Sequence, residues 1–101
     1  MVLDTSALVA ILLAEPEATP MLRALALDAL LERLGARVIE VSLPAAKLAR
    51  MAYARSGRGV GDPGVLNFGD CLSYGVSMAE RQPLLFKGGD CSQTDVEAAV
   101  Y

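Results

Sequence analysis

The sequence predicts an α/β fold built on a short parallel sheet. Three observations carry this. Brief, mostly apolar runs lie near the two ends, at residues 2–3 and 84–87. Stretches between them place small and apolar residues at helical spacing. Helix-opening and helix-closing residues mark the boundaries of those stretches. Strands alternating with helices in this way favour parallel pairing with right-handed crossovers.

In chain order, Val2-Leu3 predicts a strand ending at Asp4. Thr5 or Ser6 can cap a helix over ALVAILLA, since a hydroxyl accepts from the free amides of a first turn. Pro16 stops that helix or begins a new turn. Thr19-Pro20 is a second start, followed by Leu22, Leu25, Ala26, Ala29 and Leu30 on one face and Gly35 past the end. RVIEVS at 37–42 is a strand candidate. Ser42 and Pro44 open a helix with Ala45, Leu48, Ala49 and Ala52 on one face, closing at Gly57. Four glycines in 57–64 predict a flexible surface loop. Asn67 caps a helix running to about Gln82, and Pro83 leads into the LLFK strand, ended by Gly88-Gly89. The stretch after it reads as a short helix or strand.

Composition narrows the chemistry. The 101 residues are 53% apolar and 21% charged, with a net charge of −3, so the chain is one folded domain over 1–101 and not a disordered tail. There is no His, which excludes His-based zinc sites and Ser-His-Asp triads. Cys71 and Cys91 do not have metal-ligand spacing. The apolar opening carries Asp4 where a secretory signal wants a basic residue, and it breaks at Glu15-Pro16-Glu17. A cytoplasmic protein with reduced thiols and no membrane attachment is expected.

The carboxylates are the informative residues. Asp4 directly follows the first strand, and Asp90 follows the last clear strand across two glycines. Sites in open α/β sheets lie beyond the carboxyl ends of strands. Asp70 falls in the first turn of the helix capped by Asn67, where an acid also complements the helix dipole. Asp4 could likewise cap the turn after it. Three acids on one edge repel one another, and a divalent cation is the usual remedy. Mg²⁺ suits carboxylate and water ligands, and a metal so held can activate water against a phosphodiester. Other acid-based designs fit less well. Ser6 stands where an aspartyl phosphatase has its second Asp, a receiver domain wants two adjacent acids, and the glycine-rich loop lacks the Gly-Lys-Ser/Thr ending of a P-loop. Lys47, Arg50, Arg55 and Arg58 lie in a stretch without acids, which reads as a solvated face or as a phosphate track beside the acidic edge.

VLDTSAL, LNFGDCLSYGVSMA and PLLFKGGD…TDVEAA, in that order, resemble the PIN-domain ribonucleases, specifically VapC-type toxins of type II toxin-antitoxin systems. The resemblance implies a Rossmann-like three-layer α/β/α fold with a short, mostly parallel sheet. It implies Mg²⁺-dependent endoribonuclease activity, with Mn²⁺ able to substitute, on an RNA substrate, and a cognate antitoxin. A homodimer is also implied. Asp4, Asp70 and Asp90 match the family's catalytic, metal-binding acids. Thr5 or Ser6 and Asn67 match polar neighbours, and Asp95 a position of less defined role.

Departures from the family are specific. Its members carry a Glu on a helix that follows a second strand, and nothing here matches it. LLAEPEA runs straight into LRALALDALLERLGARVIEV, so a strand and a helix are missing and the domain is internally shortened. Glu15, Glu17, Glu32 and Glu40 are the glutamates in the interval, none in the family's context. Cys91 replaces an aromatic residue. The alternative function is therefore a truncated, catalytically impaired relative that retains antitoxin or RNA binding.

Overall fold

In the computed structural model, residues 1–6, 8–9 and 20–99 are described, with side chains from residue 26 onward in the first long helix. The described elements are β1 (Val2–Leu3), α1 (Pro20–Leu34), α2 (Leu43–Ser56), α3 (Phe68–Glu80) and β2 (Leu84–Leu85), followed by a 3₁₀ turn at Cys91–Gln93. β1 and β2 pair in parallel, Val2 opposite Leu84 and Leu3 opposite Leu85. Ala98 bridges the other side of Leu84, also in parallel, so β2 lies between β1 and the 97–99 segment. Leu84, fully buried, is the centre of this small sheet.

The two best-packed helices follow directly from sequence. Ser42 caps α2, its hydroxyl accepting from the Ala45 amide at 3.2 Å. Ala45, Ala49 and Ala52 then fall on one face and are buried. Small side chains there let α3 come close: a Cβ at Gly75 would lie 2.3 Å from the Ala45 carbonyl oxygen and 2.9 Å from the Ala49 nitrogen. Around this contact, Ala49, Ala52, Leu66, Cys71, Tyr74, Leu84 and Cys91 form the core. Leu30 of α1 is buried outside that cluster.

Several expectations need correction. RVIEVS is not a strand: residues 37–42 are irregular, and Val38 is 90% exposed. An apolar pattern makes a strand only where a neighbour supplies ladder partners, and none pairs with it among the described residues. LLFK is strand only at Leu84–Leu85. The glycine-rich segment is a surface loop, as expected, and carries its own backbone hydrogen bonds. Arg58 N donates to the Leu66 carbonyl, Gly61 N to Gly57 and Asp62 N to Arg55, while the Val65 and Leu66 amides both donate to the Ser56 carbonyl. The cap over ALVAILLA involves mostly residues outside those described; residues 5, 6, 8 and 9 are helical. Their turn is capped by Asp4, not by Thr5 or Ser6, because the Ser6 amide donates to the Asp4 carboxylate at 2.9 Å.

Candidate functional site

Parallel pairing brings the ends of β1 and β2 to the same edge, where Asp4 follows β1 and Asp90 begins the turn after β2, while Asp70 lies in the first turn of α3. Asp4 leaves β1 and is buried, at 7% exposure. Its Oδ2 accepts from the Ser6 amide and hydroxyl. Its Oδ1 accepts from the Ser73 hydroxyl of α3 at 2.5 Å. Burial pushes the Asp4 pKa up, but the Ser6 and Ser73 hydroxyls and the Ser6 and Thr5 amides outweigh it, leaving the pKa below the ordinary 3.8. The acid is thus held ionised. Ser6 also ties the two strand ends, its hydroxyl accepting from the Lys87 amide at 3.1 Å.

Asp70 opens α3 in a reciprocal capping box. The Asn67 side chain accepts from the Asp70 amide at 2.8 Å, and Asp70 Oδ2 accepts from the Asn67 amide at 2.9 Å. The helix-terminus role weighed from sequence is therefore realised. Asp90 begins the turn after β2, and its Oδ2 accepts from the Arg58 guanidinium at 3.1 Å.

Cys91 is buried directly after Asp90. Burial, then the charges of Asp70, Asp4 and Asp90, with a further contribution from Cys71, push its thiol up to about 12. Carboxylate oxygens suit a hard cation such as Mg²⁺. Yet among the described residues no three His, Cys, Asp or Glu side chains are grouped to hold a metal ion. The donor chemistry fits; the spacing does not close a cage.

Other expected residues are placed as follows. Asp95 is turned toward Tyr74, whose hydroxyl donates to it at 2.6 Å, and toward Arg55 at 3.6 Å. Arg55 and Arg58 are therefore paired with acids rather than forming an unpaired track. Glu32 and Glu40 are exposed, while Glu15 and Glu17 lie outside the described residues. Sequence reasoning missed Ser73, although its spacing of three from Asp70 puts both on neighbouring positions of one helix face. It also missed the Arg58–Asp90 pair, which no local spacing announces.

No family model matches the chain. Individual relatives do. Ribonuclease VapC28 of Mycobacterium tuberculosis is 51% identical over 75 residues, covering 74% of this chain and 56% of the relative. The chain thus spans little more than half of that protein's length. Ribonuclease VapC of Mycolicibacterium smegmatis is 38% identical over 128 positions, covering 97% of this chain and 98% of the relative. Ribonuclease VapC30 of Mycobacterium tuberculosis is 36% identical over 126, covering 95% of each. An alignment of 128 positions on a chain of 101 residues leaves at least 27 positions (128 less 101) with no residue here. By near end-to-end similarity, the chain belongs to the VapC ribonuclease family of PIN-domain toxins.

Proposed function

We propose that the chain is a VapC-type endoribonuclease toxin that cleaves RNA phosphodiester bonds, with Asp4, Asp70 and Asp90 as its acids. The observation that carries this reading is the placement of the acids: Asp4 at the end of β1, Asp90 in the turn after the β2 strand that pairs with it, and Asp70 in the first turn of α3. Asp4 is the best-prepared of them, buried and kept ionised by two hydroxyls. Mg²⁺, or Mn²⁺ in its place, is the proposed cation, and these three acids are its proposed ligands. The remaining proposals come with the family: a single, internally shortened three-layer PIN domain, a cytoplasmic location, an antitoxin partner and a homodimer. Among the described residues, no helix is long and apolar enough to cross a membrane.

A second reading is favoured by two specific observations. At least 27 aligned positions are missing, and no three acids close on one point among the described residues. On that reading the chain is an impaired relative that retains antitoxin or RNA binding. Cleavage of mixed structured RNAs separates the two. The ribonuclease reading expects cleavage with Mg²⁺ that stops with EDTA and with Asp4→Asn. Intact RNA under all conditions, with RNA or antitoxin still bound, would establish the second reading. Cleavage that survives Asp4→Asn would come from a contaminant or another site.

A further inference from the structure

The acidic edge has the right donors for a divalent cation but not the right closure, and Arg58 supplies a physical reason. Its side chain is bonded twice. Nε donates to the Val65 carbonyl at 3.2 Å, and the terminal nitrogen donates to Asp90 Oδ2 at 3.1 Å. Its backbone amide donates to Leu66 at 2.9 Å, directly before the Asn67–Asp70 capping box. One residue therefore joins the loop leading to Asp70 with the turn carrying Asp90. A guanidinium can hold two acceptors in fixed directions, which an ammonium cannot do.

We infer that Arg58 is the resident counter-cation of the Asp90 side of this edge, and that its pairing with Asp90 opposes uptake of a divalent cation there. This rests on the proposed role of the acids. Arg58 neutralises one of three like charges, holds the carboxylate oxygen that faces it, and adds a positive charge beside any incoming cation. Both members of the pair are about half exposed, so water screens the interaction and the opposition is modest.

Calorimetry with Mn²⁺ on the folded chain tests this without an activity readout. Arg58→Gln is expected to tighten Mn²⁺ binding roughly two- to five-fold, the span an exposed ion pair supports. Arg58→Lys, which keeps the charge, should stay near the parent. In an Asp90→Asn background, Arg58→Gln should tighten binding less than it does in the parent, since only the charge of Arg58 and no pairing is removed; an equal gain in both backgrounds would overturn the pairing role. Circular dichroism checks that each variant is folded, and Arg58→Met serves as a second neutral variant if Arg58→Gln is not. If Mn²⁺ binding is lost in Asp4→Asn and Asp70→Asn but unchanged or weakened by both neutral Arg58 variants, the counter-cation role is wrong while the cation site stands. If neither the parent nor a neutral Arg58 variant binds Mn²⁺, both ideas fall.

Discussion

Tyr74 and Asp95 show what the residue scale decides. Asp95 has the charge of a site acid, but its carboxylate accepts from a buried phenol and faces Arg55. Burial first, then the hydrogen bond and charge of Asp95, raise the Tyr74 pKa above its ordinary 10, with Arg55 opposing. The sign of the linkage follows. Above pH 10 the unfolded phenol has lost its proton while the folded one keeps it, so stability falls as pH rises from there toward the folded value. Phenolate absorbance should therefore show Tyr74 titrating above 10 in the parent and nearer to 10 in Asp95→Asn. An unchanged titration in Asp95→Asn would mean that the contact is not made. Asp95→Asn should also leave Mn²⁺ affinity unchanged, since Asp95 belongs to this contact and not to the acidic edge.

At the scale of elements, the contact between α2 and α3 is the most sharply determined feature. Gly75→Ala puts a methyl against backbone atoms of Ala45 and Ala49, which cannot rotate away. Overpacking of this kind costs about 1–3 kcal/mol, more than the roughly 1 kcal/mol that Ala gains in a helix. Gly69→Ala in the same helix meets only the Asn67 side chain, at 3.4 Å, and should be neutral or slightly stabilising. Urea unfolding of the two variants checks the contrast. Asn67→Ala should cost about 1 kcal/mol through the lost cap. It should also reduce RNA cleavage, because the Asp70 amide loses the Asn67 side-chain oxygen to which it donates and the first turn that holds Asp70 loosens.

These same elements show what the sequence could convey. α2 and α3 were legible because Ser42, Asn67 and the alanine stripe act locally. RVIEVS was misread because a strand depends on a partner that its own pattern cannot reveal. The glycine loop lies on the surface as expected, but what its glycines do there was not legible for a related reason. A Cβ at Gly57 would lie 2.4 Å from the Tyr53 carbonyl oxygen, and one at Gly61 would lie 2.2 Å from that of Arg55, so both glycines mark close backbone approach rather than freedom. Asp4, Asp70 and Asp90 could be named from strand ends and a helix start. Their partners Ser73 and Arg58 could not, since those contacts span 69 and 32 residues.

For the molecule as a whole, apolar side chains are left in water. Leu34, Val38, Ile39, Val41 and Leu43 are exposed along one continuous stretch. Monomers seldom leave a large contiguous apolar patch uncovered. The proposed homodimer would cover it, giving about twice the 10.6 kDa chain mass by light scattering. Val38→Asp with Leu43→Asp should return the single-chain mass. A parent mass that stays at one chain over a wide concentration range would contradict the dimer.

The central claim is that Asp4 and Asp70 act as one RNA-cleaving site. Cleavage rates of Asp4→Asn, Asp70→Asn and the double variant, each confirmed folded, test it most directly. Residues that work as a unit lose nearly all of their effect at the first substitution. Each single variant should lose cleavage, and the double should lose little more. Two single losses that multiply in the double, or a single variant that cleaves like the parent, would contradict it.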